Sequence, residues 1–460
     1  MVANLCMLAA MTAAVVLCSF VASLIPGRPV PEVVFFVVAG VVLGPGCLGV
    51  VNATPGLDLV GRLGMGLLFL MAGYELDLRE LTGSMGRHAA LCWAVSFGAA
   101  LLLTPALGLG LDQTGMAAFS IALTTTAYGT LVPIMRDREL GGTSVGEVIE
   151  SYGAMGEILP VVAMSLLLSP SRSLGANVAV LVGFVAFCVF VASRGRWAAE
   201  MGSRLSRFLH ENAESSSQPT LRAVVALLCA LLAIAAVLDL DAVLAAFAAG
   251  FILRHVTPAE HGHRLMDKVE ALGNGLFVPV FFVYSGIGIE LSAVGEQPGL
   301  LVGFMALLLL IRALPLLASL ALAPETRSMP LGEKISASLY CTMALPLIVA
   351  LTEAAAACGA MDEQMASVLV CAGALTVLVI PIITSLSVRA VAAHPVDAVH
   401  EAMEHPHDLR EIVHEHHVHA HEVAEELREE RRHLHEEGVQ LSSADFLARR
   451  AELRRRHRRQ

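Results

Sequence analysis

The chain has 460 residues, of which 56% are hydrophobic and 15% charged, and its formal net charge is -11. Its mean hydropathy of +0.70 is too high for a soluble globular domain. Most of the charge lies in loops and in the tail that follows the last apolar run, so the acidic balance indicates no nucleic-acid partner. The composition predicts an all-α integral membrane protein.

Apolar runs long enough to span a bilayer recur along the chain, and they set the predicted helix count. We expect thirteen transmembrane helices, near residues 4–25, 30–49, 59–78, 88–109, 115–135, 146–169, 176–193, 221–238, 240–256, 271–291, 299–321, 333–353 and 364–388. The nine cysteines lie singly, mostly within these runs, and have no disulfide or zinc spacing. We therefore expect no cofactor and no firm metal site.

The distribution of Lys and Arg predicts the orientation, because cytoplasmic loops carry an excess of both. With thirteen helices, alternate loops hold 15 basic residues and the intervening loops hold only Arg62 and Arg172. The N-terminus is therefore predicted outside the cell membrane and the C-terminal tail in the cytoplasm.

Two segments of the first half are echoed in order in the second. Val38–Gly44 resembles Ala248–Arg254, and the segment ending at Leu78 resembles the one ending at Leu291. Each echo spans seven helices, an odd number, so the second copy enters the membrane from the opposite side. The alternative is that glycine- and alanine-rich helices resemble one another by composition alone. The predicted organisation is a transmembrane domain at 1–389, with an inverted repeat of six helices at 4–169, a linker helix at 176–193 and a second repeat at 221–389, followed by a tail at 390–460.

Helices 5 and 12 occupy corresponding places in the two repeats, and both contain residues that weaken a helical ladder. These positions are Thr124, Thr125, Thr126, Gly129 and Pro133 in helix 5, and Thr342 and Pro346 in helix 12. We expect two discontinuous helices that cross near the membrane midplane, where such transporters bind their substrate. Alternatively, both helices are continuous and only kinked at proline.

Ionisable groups within membrane spans are costly and indicate function. Glu157 lies seven residues deeper in helix 6 than Glu150, whereas Glu147 is close to the interface. Seven residues are close to two α-helical turns, so Glu150 and Glu157 are predicted to share one face. Arg312 lies in the apolar run of helix 11 and needs an acidic partner. Glu157 is one candidate, and the alternative is a structural role in which Arg312 binds backbone carbonyls or helix ends.

Four motifs then point to a family: Val41–Pro45, Leu67–Leu78, Ala245–Leu253 and Phe277–Leu291. In order and spacing they resemble the sodium/proton exchanger domain of the monovalent cation/proton antiporter superfamily, including its Kef-like members, over about residues 4–389. The resemblance implies a homodimeric transporter that acts in pH homeostasis. It also implies an ion-binding acid in helix 6, preceded by Asp, Asn or Gln, and a basic residue in helix 11.

Without gaps, this acidic pair falls on Gly156 and Glu157, and the basic residue on Arg312. The chain thus departs from the family pattern twice, with a glycine in the first position and Glu in place of the usual Asp. Thr125 and Thr126 join Glu157 as candidate ion-binding residues, and Glu150 and Arg312 are candidate supporting charges. Because Gly156 adds no second titrating group, we expect electroneutral exchange of one sodium or potassium ion for one proton by alternating access.

The tail from His394 holds twelve of the seventeen histidines and has no nucleotide-binding motif. A cytoplasmic helix or partly disordered segment accounts for this pattern, although His417 and His421, four residues apart, are weak candidates for metal binding or pH sensing. Two other functions fit the sequence. One is an organic-solute symporter on the same architecture, and the other is a membrane sensor or scaffold whose histidine-rich tail is the active part.

Overall fold

The computed structural model describes residues 2–25, 30–76, 81–137, 140–168, 174–200, 218–257 and 259–392. This part of the chain is helical and contains no strand. In chain order the main helices are α1 Val2–Leu24, α2 Glu32–Leu43, α3 Pro55–Glu75, α4 Ser84–Leu103, α5a Gln113–Ala122, α5b Tyr128–Asp137, α6 Ser144–Val148 with Ile149–Gly153 and Ala154–Leu167, α7 Leu174–Glu200, α8 Pro219–Val237, α9 Ala242–Val256, α10 Ala259–Leu272 with Gly273–Phe277 and Val278–Ile287, α11 Pro298–Leu308 with Leu309–Ala313 and Leu314–Leu322, α12a Leu331–Tyr340, α12b Leu345–Ala357 and α13 Glu363–Ala392. A short 3₁₀-helix, Thr104–Leu107, follows α4, and a short α-helix, Leu291–Glu296, follows α10.

Within the described ranges, nine helices are long and apolar enough to cross a membrane. Two more apolar helices, α2 and α9, are shorter. Of the remaining helices, α5 is interrupted and α6 carries three carboxylates, which lower its mean hydropathy. The all-α membrane class is therefore confirmed, whereas the number of thirteen crossings and the domain boundaries stay predictions.

The helices pack in two groups. Helices α1–α3 contact α8–α10, and helices α4–α6 contact α11–α13. The helix α7 packs against α9 in one group and α6 in the other. This grouping is the one expected of two interlocked repeats, because each group takes three helices from either half of the chain.

Glycine contacts relate the helix pair α3 and α9 to the pair α2 and α10. Four glycines each lie against a backbone carbonyl of the facing helix, in the pairs Gly73 with Phe247, Gly250 with Leu70, Gly286 with Val37 and Gly40 with Val283. A Cβ at any of the four would overlap that carbonyl, so only glycine permits this approach. The sequence echoes align Gly40 with Gly250 and Gly73 with Gly286, and that alignment maps each contact of one helix pair onto a contact of the other. The symmetry supports an inverted repeat over these four helices.

Three helices contain a π-turn: α6 at Ile149–Gly153, α10 at Gly273–Phe277 and α11 at Leu309–Ala313. A π-turn holds about one residue more than an α-turn and is frequent at functional sites. The turns in α6 and α11 each carry a residue of the site described next, Tyr152 and Arg312.

Candidate ion-binding site

The helices α5 and α12 are both interrupted, as the sequence predicts. The helix α5a ends at Ala122 and α5b begins at Tyr128, while α12a ends at Tyr340 and α12b begins at Leu345. Threonine hydroxyls add a hydrogen bond to carbonyls in the last turn before each break, where backbone N–H groups also bind at the tighter i+3 spacing. Thr124 donates to Ile121 at 2.9 Å, Thr125 to Ala122 at 2.9 Å and Thr342 to Leu339 at 2.6 Å.

Three of the residues assigned to the breaks lie outside them, which corrects the prediction. Gly129 and Pro346 are the second residues of α5b and α12b, and Pro133 lies inside α5b. The first N–H groups of a helix have no intrahelical partner, so proline at position 346 removes no hydrogen bond. For the same reason the N–H of Gly129 is available to another group.

The two breaks bind each other and α6. The N–H of Ala127 donates to the Met343 carbonyl at 2.7 Å, and the Thr126 hydroxyl donates to the Cys341 carbonyl at 2.5 Å. The N–H of Thr126 donates to the Gly156 carbonyl at 2.8 Å. Non-helical backbone is tolerated within a membrane only where other protein groups satisfy it, and these bonds do so.

Glu157 lies beside this crossing, in the first turn of the last segment of α6. Only 1% of its surface is exposed. One oxygen accepts a hydrogen bond from the Gly129 N–H at 3.3 Å, and the Tyr128 N–H is a second donor. Both donors belong to the first turn of α5b, whose helix dipole favours a negative charge at that end. Within the described part of the chain, no basic side chain forms an ion pair with Glu157.

Arg312 is fully buried in the π-turn of α11. Its Nε and Nη2 atoms donate to the Thr126 hydroxyl oxygen at 3.1 and 2.9 Å, and Nη2 also donates to the Tyr152 carbonyl at 3.0 Å. Of the two alternatives for Arg312, the structure shows the structural one. The guanidinium binds a hydroxyl and a carbonyl at two helix interruptions, and it does not pair with Glu157.

Thr125 and Thr126 are both completely buried, but their hydroxyls have different partners. The Thr126 oxygen donates one hydrogen bond and accepts two from Arg312, so it has no lone pair for a cation in this conformation. Thr126 therefore positions Arg312. Thr125 donates only to its own helix and keeps its acceptor capacity, so cation binding by Thr125 stays a prediction.

The predicted shared face of Glu150 and Glu157 rests on an uninterrupted α-helix, and α6 is not one. Glu150 is the second residue of the π-turn at Ile149–Gly153, and the rest of this turn separates it from Glu157. The extra residue of the π-turn rotates Glu150 by about 100° relative to Glu157. The register on which the shared face depended is therefore absent, and a supporting role for Glu150 stays a prediction.

Glu75 is a further acid near the site that the sequence analysis did not select. A Cβ at Gly129 would be 3.4 Å from the Ala72 side chain and 3.9 Å from the Glu157 carboxylate, so α3 faces the site here. Glu75 follows Ala72 by one turn of α3 and lies within electrostatic reach of Glu157. The sequence analysis did not select Glu75 because it ends its helix, and no sequence pattern shows that this end of α3 faces α5b.

The predicted tail candidates His417 and His421 lie outside the described residues. Among the described residues, no three His, Cys, Asp or Glu side chains are grouped so that they could hold a metal ion.

Comparison with known proteins relates the whole helical region to one family. Residues 10–390 match the family model described as "Sodium/hydrogen exchanger, transmembrane". The "Cation/H(+) antiporter 18" of Arabidopsis thaliana is 27% identical over 292 residues, which cover 59% of this chain and 36% of that protein. The "Na(+)/H(+)-K(+) antiporter GerN" of Bacillus cereus is 27% identical over 283 residues, which cover 58% of this chain and 67% of GerN.

A solved structure has the same fold. It is that of the sodium proton antiporter MjNhaP1 from Methanocaldococcus jannaschii, with a TM-score of 0.57 and 17% sequence identity, over 82% of this chain and 95% of that one. The chain thus covers nearly all of this structural relative, but only about a third of the length of the Arabidopsis protein.

Proposed function

This chain belongs to the sodium/hydrogen exchanger family, and from that premise we propose that it exchanges a monovalent cation for protons across a membrane. The observation that carries the proposal is the environment of Glu157. This carboxylate is buried beside the crossing of the two interrupted helices and accepts a hydrogen bond from a backbone N–H of α5b. It forms no ion pair with any basic side chain in the part of the chain that the structure describes.

A carboxylate in this environment needs a neutralising ion, because an isolated charge is costly within a membrane. A proton and a monovalent cation each supply one positive charge to the same oxygens, so the two ions compete. Alternating access of the site to the two sides of the membrane then couples their movements in opposite directions. The Kef-like branch of the superfamily and the identity of the cation remain predictions.

The charges at the site favour electroneutral exchange. Gly156 has no titrating group, and an arginine guanidinium carries a fixed charge in proteins, so Arg312 adds a constant to both loaded forms. Among the described residues at the crossing, Glu157 is then the proposed group whose charge changes. Because a proton and a cation neutralise it equally, the two loaded forms carry the same net charge, and one cation exchanges for one proton.

The names of the relatives support sodium or potassium as the cation, since they include Na(+)/H(+) and Na(+)/H(+)-K(+) antiporters. The excess of Lys and Arg in alternate loops supports an outside N-terminus and a cytoplasmic tail in the cell membrane. A homodimer is the assembly that the family resemblance implies.

Proton flux into proteoliposomes, measured while sodium, lithium and potassium are added in turn, tests this function. The purified protein is expected to move protons in response to at least one of these ions, and Glu157→Gln is expected to abolish the response. The matched control is Glu147→Gln, which removes an exposed carboxylate from the same helix and should leave the flux unchanged. Cation-dependent flux in the Glu157→Gln protein would show that another group carries the ions.

A further inference from the structure

We infer that Gly156 and Arg312 are a matched pair: the missing side chain at position 156 makes room for the guanidinium that joins the break in α5 to the π-turn of α6 and so positions the donors of Glu157. The inference deepens the proposed function and rests on it for its effect on transport. It assigns Arg312 as a positioning residue and Gly156 as the residue that permits its position.

The first observation is steric. A Cβ on Gly156 would overlap Nη2 of Arg312, and it would lie 2.5 Å from the Thr126 hydroxyl oxygen. Nη2 is the guanidinium atom that binds both Thr126 and the Tyr152 carbonyl. Even the smallest side chain at position 156 therefore competes for space with the atom that makes most of the Arg312 contacts.

The second observation is that the displaced guanidinium would lose its partners in a site without solvent. Arg312 is 0% exposed, and its Nη1 already has no hydrogen-bond partner among the described residues. Removing one partner of a buried, charged hydrogen-bonded group is far more costly than removing an exposed one. We therefore expect a side chain at position 156 to shift the surrounding backbone as well as the guanidinium.

The third observation connects this pair to Glu157. Thr126 binds Arg312 through its hydroxyl, the Gly156 carbonyl through its N–H, and the Cys341 carbonyl in the other break. Two residues later, the chain enters α5b and presents the N–H groups that face Glu157. A displacement of Thr126 therefore also displaces these N–H donors, because only one residue separates Thr126 from the start of α5b. The hydrogen bonds to the Glu157 carboxylate change, although the substituted side chain does not contact it.

A double-mutant cycle tests the pair. Gly156→Ala is compared in the parent and in the Arg312→Lys background, because lysine keeps the positive charge but lacks Nη2. The control is Gly153→Ala, one turn earlier in α6, where a Cβ would meet the Tyr128 ring at 3.2 Å and no atom of Arg312. The readouts are the melting temperature of the detergent-solubilised protein, and KM and kcat for the cation in proteoliposomes.

In the parent background, we expect Gly156→Ala to lower the melting temperature and to raise the cation KM about tenfold. In the Arg312→Lys background, Gly156→Ala should raise the cation KM only about threefold or less. Gly153→Ala should have an effect of the same size in both backgrounds. A role confined to stability would lower the amount of active protein and leave KM unchanged. Equal losses for Gly156→Ala in the two backgrounds would overturn the inference.

The melting-temperature cycle requires no transport, so it separates this inference from the proposed function. If the parent protein shows no cation-dependent flux, the proposed function fails, and the coupling between positions 156 and 312 is still measured. If Gly156→Ala alone does not fold, recovery of a folded protein in the double variant supports the pair. Failure of the double variant to fold when Arg312→Lys alone folds contradicts it.

Discussion

Replacing Glu157 with the shorter acid Asp tests whether the length of the glutamate is matched to the Gly129 N–H. The carboxylate oxygen accepts this hydrogen bond at 3.3 Å, just beyond the usual range for an N–H donor of about 2.7 to 3.2 Å, so little further lengthening is possible. Aspartate is shorter by one carbon–carbon bond, about 1.5 Å, so its oxygens withdraw beyond hydrogen-bonding distance. The Glu157→Asp variant keeps the negative charge, but its carboxylate no longer reaches the N–H groups at the N-terminus of α5b.

The expected magnitude follows from the bond that is lost. A hydrogen bond to a charged group contributes about 1.5 to 3 kcal/mol, which corresponds to about 10- to 140-fold in affinity. The cation KM of Glu157→Asp should rise by that factor. The resemblance makes this outcome informative, since Asp is the usual acid at this position of the family.

The assay is the cation dependence of proton flux in proteoliposomes at fixed pH. Glu147→Asp is the control, because it shortens an exposed acid on the same helix. A KM for Glu157→Asp within twofold of the parent value would show that the contact with the Gly129 N–H does not contribute to cation binding.

Three further changes have defined outcomes. Thr126→Val removes the hydroxyl that joins Arg312 to the Cys341 carbonyl, and it should cost about 3 kcal/mol of stability in a thermal melt, whereas Thr125→Val, whose hydroxyl binds only its own helix, should cost about 1 kcal/mol. Glu75→Gln should raise the cation KM roughly threefold at low salt and less at high salt, because a screened charge near Glu157 is lost; an increase that does not depend on salt would contradict this. Glu325 lies in the loop after α11, and a hydrogen bond from the Ser84 hydroxyl holds the pKa of its carboxyl below the usual 4.5. This hydrogen bond therefore stabilises the folded protein fully at pH values above 4.5, and the stabilisation is lost as the pH falls through the lowered pKa. The melting temperature of Ser84→Ala should therefore lie below the parent value at pH 6 and converge with it at strongly acidic pH, and a constant gap would contradict the assignment.

The sequence predicted the features that depend on composition and on depth in the membrane. The helical class follows from hydropathy, and the interruptions of α5 and α12 follow from threonine, glycine and proline at corresponding positions. Glu157 was selected because no other acid lies as deep in its helix, and the structure places it beside the break in α5. These features are local, so a single sequence contains them.

The features that the sequence did not predict depend on packing between distant segments. Nothing in the sequence near Arg312 shows that its side chain meets Thr126, which lies 186 positions earlier. The π-turn in α6 changes the face of Glu150, and its single glycine, Gly153, does not distinguish it from an ordinary helical turn. The position of Gly129 inside α5b followed from where the helix restarts, which depends on the bond between Ala127 and the Met343 carbonyl.

The proposed exchange requires that a single carboxylate, Glu157, carries the proton and the cation in turn. The most direct test measures cation-driven proton flux in proteoliposomes while the membrane potential is clamped at several values of either sign. One-for-one competition at Glu157 predicts equal numbers of protons and cations moved, with the same cation-to-proton ratio at every potential and no net current. A net current that accompanies transport, or a ratio different from one, would contradict the claim and require a second titrating group at the crossing.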